Sequence, residues 1–275
     1  MNWAVLALLA ASDATGNATY LDAAHDLFSK QIMPAWDTQS CGGGVWWDLP
    51  GHTKTASWAG HTQKATASNA GPALAAALLS TRIKGSTGED IGAWGKLVFS
   101  YWNETMSNAS TGAVIDHVKC SKGSCEPVLW DFTYNEGLML GAATALGHAR
   151  DSARFVGRIV MDQTTPGGVL RDSCECSHSL KALDCQSFKG VAIRELKRWL
   201  ESPVSSEAED PALVAAAARV VKASAQAVWS TARQQNETGR DGGPLFTASW
   251  ASAGQGCLLN AAAQTSAVLA LIAAV

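Results

Sequence analysis

Apolar and polar positions along this chain fall into two alternating helical patterns. One pattern is apolar on nearly every face and rich in small residues. It covers Asn2 to Ala11, Ser68 to Leu79, Tyr134 to Leu146 and Asn260 to Ala274. A helix that is apolar all round is predicted to be buried all round. The other pattern is one-sided. Leu21, Ala24, Leu27 and Phe28 form a stripe opposite Asp22, His25, Asp26 and Lys30. Further stripes are Ile91, Trp94, Leu97, Val98, Tyr101 and Trp102; then Phe155, Val156, Ile159 and Val160; then Leu213, Ala217, Val220, Val221 and Val228, interrupted by Ser224. Asp210 and Pro211 give the last of these a capping residue and a proline at its first position.

Wholly apolar helices begin near positions 3, 68, 134, 187 and 260. Between them lie one-sided helices and long loops, 36–66, 107–132, 164–186 and 234–258. This order predicts helical hairpins whose inner members share one centre, in an all-α single domain over 1–275 with about nine long helices and almost no sheet. Each long loop leads into an inner helix, so the loops are expected at one end of the ring, where long loops carry function.

Composition supports this reading. Alanine dominates the apolar residues, which favours helix, and runs of valine, isoleucine and threonine are missing. The net charge of -3 gives no electrostatic basis for binding nucleic acid. The apolar stretch from Met1 to Ala11 lacks the basic residue of a signal peptide and runs into a turn, so it reads as a helix of the fold. The stretch from Ala267 to Val275 is too short to span a bilayer.

Seven cysteines, Cys41, Cys120, Cys125, Cys174, Cys176, Cys185 and Cys257, lie in loops or at element edges. Four sequons begin at Asn17, Asn103, Asn108 and Asn236, and together with the cysteines they point to the secretory pathway. The spacing predicts a Cys120–Cys125 bridge and at least one bridge among Cys174, Cys176 and Cys185, with one thiol left over. A metal site at Cys174, Cys176, His178 and Cys185 is the lesser alternative. His52, His61, His117 and His178 show no metal spacing, and no cofactor is called for.

The chemistry concentrates in Cys41-Gly42-Gly43-Gly44-Val45-Trp46-Trp47-Asp48. Three consecutive glycines allow tight turns and close approach of backbone to a ligand. Trp46 and Trp47 offer flat faces to sugar C–H bonds, and Asp48 offers acceptors to hydroxyls. Eleven tryptophans against three tyrosines and six phenylalanines make a stacking role for at least one of the pair the favoured reading. The alternative is a glycine turn followed by two core tryptophans.

These residues resemble glycoside hydrolase family 76, the endo-α-1,6-mannanases. Cys41 to Asp48 is similar to that family's Gly-Gly-Gly-aromatic-Trp-Asp loop. Lys64-Ala65-Thr66-Ala67-Ser68-Asn69 resembles its entry to an inner helix, with Ala65 departing from the pattern. Thr133-Tyr134-Asn135-Glu136-Gly137 and Phe188-Lys189-Gly190-Val191-Ala192-Ile193-Arg194 resemble two further blocks, the second preceded by a match at Gly168 to Asp172. The resemblance implies an (α/α)6 toroid of twelve helices, about nine of them in this chain, with a polysaccharide or oligosaccharide of mannan type in a groove at one end. Substrate-binding residues on this reading are Trp46, Trp47, Asp48, Asn69, Asp116, Tyr134, Asn135, Glu136, Lys189 and Arg194. A secreted or cell-surface protein, a monomer if complete, is expected.

The family's catalytic pair is two consecutive aspartates before an inner helix of the type that here carries Trp3. No Asp-Asp pair occurs in this chain. The resemblance therefore implies a chain missing its N-terminal part, or a reading frame begun at an internal methionine, with apolar flanks of Trp3, Leu6 and Leu9 left uncovered. A retaining glycosidase needs two carboxylates about 5 Å apart. Asp48, Asp116, Asp131, Glu136 and Asp172 are the remaining acids, and supporting roles are expected for them. Enzyme activity is thus left open. The readings are a hydrolase or cell-wall transglycosylase on α-1,6-mannan, a non-catalytic carbohydrate-binding homologue, or a helical repeat without a sugar ligand.

Overall fold

A computed structural model describes residues 1–47, 63–121, 123–176, 184–239, 242–252, 257 and 260–275. Asp48, His52, His61 and His178 lie outside the described residues. Nine α-helices of ten residues or more are found among the described residues, together with the short α8 (Pro203–Glu207) and two small sheets. The chain forms two compact units.

The first unit holds Met1–Ala109, Ala113–Asp131 and Ala145–Gly147. Its helices are α1 (Asn2–Thr15), α2 (Ala18–Leu27), α3 (Thr66–Ser80) and α4 (Ser86–Met106). Val5 and Leu9 of α1, Ala24 and Phe28 of α2 and its π-turn extension, Ala75, Ala76 and Leu79 of α3, and Ile91 of α4 make one core cluster. Phe28 meets Trp94 edge-on at 5.3 Å. Three antiparallel strands, β1 (Gln63–Ala65), β2 (His117–Ser121) and β3 (Ser124–Val128), lie in that order in one sheet.

The second unit holds Ser110–Gly112, Phe132–Thr144 and His148–Val275. Its long helices are α5 (Thr133–Ala145), α6 (Ala149–Asp162), α7 (Phe188–Glu201), α9 (Pro211–Ala227) and α10 (Ala261–Ala273). Strands β4 (Arg233–Thr238) and β5 (Pro244–Phe246) pair antiparallel. Helix α7 packs on α9 and α10. The Asp210 carboxylate caps α9 by accepting from the Leu213 amide at 2.9 Å. Ser224, the polar interruption of the α9 stripe, is buried and accepts from the Leu170 amide at 3.1 Å.

Helices α3 and α5 are buried along nearly their whole length, as their apolar patterns predict. Helices α1 and α10 differ from that expectation. Only Val5 and Leu9 of α1 are buried, because α2 and α3 cover one side alone; the uncovered flank expected at Trp3, Leu6 and Leu9 is found at exposed Trp3 and half-buried Leu6 but not at Leu9. Val268 and Ile272 of α10 are likewise exposed. Leu97, assigned to the α4 stripe, also faces out. Among the described residues no helix is long and apolar enough to cross a membrane.

The disulfides are Cys41–Cys125, Cys174–Cys185 and Cys176–Cys257, and Cys120 is a free thiol. The Cys174–Cys185 bridge and the single thiol match expectation. The predicted Cys120–Cys125 bridge does not form. These two residues do oppose each other across β2 and β3, but Cys41 reaches Cys125 from the glycine loop and takes it instead.

Glycines set how closely helices approach. A Cβ added at Gly137 of α5 would lie 2.8 Å from Ala192 Cα and 3.1 Å from Ala192 N of α7. These are backbone atoms, so relief requires the helices to part. Gly157 of α6 has nothing within 4 Å of the same position. Gly137→Ala is therefore expected to cost about 1–3 kcal/mol. Gly157→Ala should add about 0.5–1 kcal/mol by restricting the unfolded chain and favouring helix. Urea unfolding midpoints check both; equal stability of the two variants would contradict this packing.

Candidate carbohydrate-binding site

The first unit builds its site around the glycine loop. Trp36 and Val45 form an isolated antiparallel bridge, so the chain from 36 to 45 doubles back on itself. Asp37 turns the chain, accepting from the Gln39 amide at 2.9 Å and the Ser40 amide at 3.0 Å. Cys41, Gly42, Gly43 and Gly44 all have positive φ. A Cβ at Gly44 would lie 3.0 Å from Lys64 Cδ, 3.0 Å from Tyr101 Cε1 and 3.2 Å from Asn69 Oδ1. Glycine is thus required at Gly44 for space as well as for φ.

Lys64 is the centre of this loop. Its side chain is fully buried. The ammonium donates to Asp37 Oδ2 at 2.8 Å, Ser40 O at 2.6 Å and Gly43 O at 2.6 Å, which satisfies its three donors. It also lies 4.6 Å from the centre of the Trp46 ring. Burial would raise the Asp37 carboxyl, yet the hydrogen bonds from Lys64 and the two amides hold it below the ordinary carboxylate range.

Asn69 and Ser68, at the start of α3, hold the other side. Asn69 Oδ1 accepts from the Val45 amide at 2.7 Å, and Nδ2 donates to Val45 O at 3.2 Å and Ala65 O at 2.8 Å. Ser68 Oγ donates to Val45 O at 2.9 Å. Asn69 is wholly buried, so it shapes the loop backbone rather than presenting its amide at the surface.

Trp46 and Trp47 emerge from this frame. Trp46 is half-buried and Trp47 is 43% exposed. Both line a small cavity of ≈ 60 Å³, open to solvent, with Asn2, Gln31, Ile32 and Ser68. Two large rings beside amide and hydroxyl groups form a surface suited to a sugar.

Asp116 is buried in the same unit. Its carboxylate pairs with His117 Nδ1 at 2.7 Å, and its carbonyl accepts from the Thr66 amide at 2.8 Å. His117 in turn meets the Trp130 ring edge-on at 5.3 Å. Trp130 is 56% exposed, and Asp131 beside it is exposed. Sequence reasoning missed Trp130 and assigned no site role to Lys64. A surplus of tryptophan was the available signal for the first. A lone lysine entering an apolar helix was the signal for the second.

The second unit has its own polar cluster at the starts of α5 and α7. Asp172 accepts from the Thr133 amide at 2.8 Å and the Thr133 hydroxyl at 2.7 Å. The Asp172 amide donates to Glu175 Oε2 at 3.2 Å, and Glu175 pairs with Lys189. Lys189 is fully buried, donates to Ala248 O at 2.7 Å and lies 4.6 Å from the Trp250 ring centre. Burial pulls the Lys189 amine down, while Glu175 and Asp172 push it back up. Tyr134 stacks among Phe132 and Phe188, Asn135 and Glu136 are wholly buried, and Glu136 accepts from Gln163 Nε2 at 2.7 Å. Arg194 pairs with the buried Glu195, which Arg198 also engages.

The profile of glycosyl hydrolase family 76 matches residues 1–274, and the chain belongs to that family. No curated protein sequence matches the chain. Among solved structures, the GH76A α-1,6-mannanase from Salegentibacter sp. HEL1_6 superposes with a TM-score of 0.79 at 22% identity, over 99% of this chain and 74% of that one. The same figures hold for its inactive variant, with two consecutive aspartates replaced by asparagine, in complex with α-1,6-mannotriose. A Listeria innocua protein gives a TM-score of 0.74 at 19% identity, over 99% of this chain and 70% of that one. Dfg5 from Chaetomium thermophilum, in complex with glucosamine, gives 0.67 at 22% identity, over 93% and 60%. These likenesses establish the fold class, the α/α toroid that the resemblance implied.

Burial pushes the Asp172 carboxyl up from 3.8 to about 6, against the pull of Thr133 and Lys189. A carboxyl raised in the folded state stabilises the fold while protonated. That contribution is complete below about 4 and is lost as pH rises through about 6. Asp172→Asn cannot ionise. The wild type is therefore expected to lose stability relative to this variant between pH 4 and pH 7, by up to about 3 kcal/mol. Urea midpoints of both proteins at the two pH values check this; a difference independent of pH would contradict it.

Proposed function

We propose that this member of family 76 binds α-1,6-linked mannan, with a sugar ring stacked on Trp47 or Trp46 beside the cavity of the first unit. The observation that carries the reading is the pair of tryptophans held at that cavity by a loop pinned on the buried Lys64 ammonium. The α-1,6-mannotriose complex of the Salegentibacter protein supports the choice of sugar.

Recognition, rather than bond cleavage, is the role we assign to the chain's own residues. Replacing two consecutive aspartates accompanies inactivity in the Salegentibacter protein, and the 275 residues here contain no consecutive aspartates. Three of the acids that remain are engaged structurally: Asp116 with His117, Glu136 with Gln163, and Asp172 with both donors of Thr133. Asn69 acts through the loop it clamps. Tyr134, Asn135 and Lys189 act through the helix starts in which they sit, and Arg194 through its ion pair with Glu195 within α7. Three disulfides and four sequons support a secreted or cell-surface protein.

Calorimetric titration with α-1,6-mannotriose tests the reading. Trp47→Ala is expected to weaken binding by about 1–3 kcal/mol, as for other stacked ligands, with helical content unchanged. Unchanged affinity in both Trp47→Ala and Trp46→Ala would remove the tryptophans from the site. In a parallel assay, no reducing ends should be released from linear α-1,6-mannan at an enzymatic rate. Turnover would show that catalytic carboxylates are among this chain's own acids.

A further inference from the structure

We propose that Cys41, Cys120 and Cys125 form a thiol–disulfide exchange site, which moves the bond on Cys41 between the two strands of the β2–β3 hairpin and releases Cys125 as a surface thiol. Three observations meet here. Cys41 and Cys125 are bridged, and Cys120 carries a free thiol. Cys120 and Cys125 are direct partners across β2 and β3. The Cys120 sulfur lies 3.2 Å from the Cys41 sulfur of the disulfide.

The exchange is balanced without an outside oxidant or reductant. The Cys120 thiolate attacks Cys41 Sγ, a Cys41–Cys120 bond forms, and the Cys41–Cys125 bond breaks. Cys125 leaves as a thiolate and takes up the proton that Cys120 gave to water. Either bond ties Cys41 to the hairpin, so the glycine loop stays anchored in both isomers. What changes is the surface. Cys120 is half-buried, whereas Cys125 is exposed.

The surroundings hold the exchange back at neutral pH. Burial pushes the Cys120 thiol up and the Asp37 carboxylate adds to this, while the Lys64 ammonium opposes them. A protonated thiol is a poor nucleophile, so exchange is slow at neutral pH. Once released, the exposed Cys125 thiol is a modification site for small disulfides. Its thiolate attacks glutathione disulfide, forms a mixed disulfide and expels one glutathione thiolate.

Timed alkylation with N-ethylmaleimide, followed by peptide mapping under non-reducing conditions, tests this in the full chain. Prolonged incubation is expected to yield alkylated Cys125 together with a Cys41–Cys120 bridge. Cys120→Ser should abolish Cys125 alkylation, and Cys125→Ser should form the Cys41–Cys120 bridge in air. Incubation with glutathione disulfide should add one glutathione at Cys125 in the wild type and none at Cys125 in Cys120→Ser. Alkylation confined to Cys120 with Cys41–Cys125 intact at all times would overturn the proposal. Two alkylatable thiols in Cys125→Ser, or equal Cys125 labelling with and without Cys120, would overturn it as well.

Discussion

A single buried ammonium, that of Lys64, holds the candidate site together. Taking a cation out of water is costly unless every donor finds an acceptor and a counter-charge lies close. Here the acceptors are Asp37, Ser40 O and Gly43 O, all from one loop. The loop can turn two carbonyls inward only because Cys41 to Gly44 adopt positive φ, three of them as glycines. Asn69 and Ser68 then fix Val45 from the α3 side. Trp46 and Trp47 follow directly, so the direction of their rings depends on a charge that is itself fully buried.

The second unit uses the same construction. Lys189, near the start of α7, is buried like Lys64, pairs with a carboxylate, donates to a backbone carbonyl and sits over a tryptophan ring. In both cases a lysine at the entry to a helix secures a loop that precedes or follows it. Lys189 and Asn69, named from motif likeness as binding groups, are wholly buried here and bonded to loop backbone.

Much of the fold was legible because burial of α3 and α5 follows from unbroken apolar runs, and the ends of α9 from Asp210 and Pro211. Hydropathy failed for α1 and α10 for a physical reason. An apolar face states what a helix can bury, whereas Val5 and Leu9 are buried because α2 and α3 supply neighbours on that side alone. The cysteine pairing was illegible for another reason. Cys120 and Cys125 are close in sequence and opposed in the hairpin, yet Cys41 arrives from 84 residues before Cys125. The acceptors of Lys64 are likewise non-local, and no spacing in the chain marks Ser40 and Gly43 as its partners.

The most direct measurement of this account is titration of α-1,6-mannotriose into Lys64→Met, with circular dichroism at the same concentration to follow the helices. Loss of saturable binding with the helical signal retained is the expected result, since Asp37, Ser40 O and Gly43 O would lose their shared donor while α3 and α4 keep their packing. Binding at the wild-type affinity would contradict the account, showing that the tryptophans are positioned without the buried ammonium or lie outside the site.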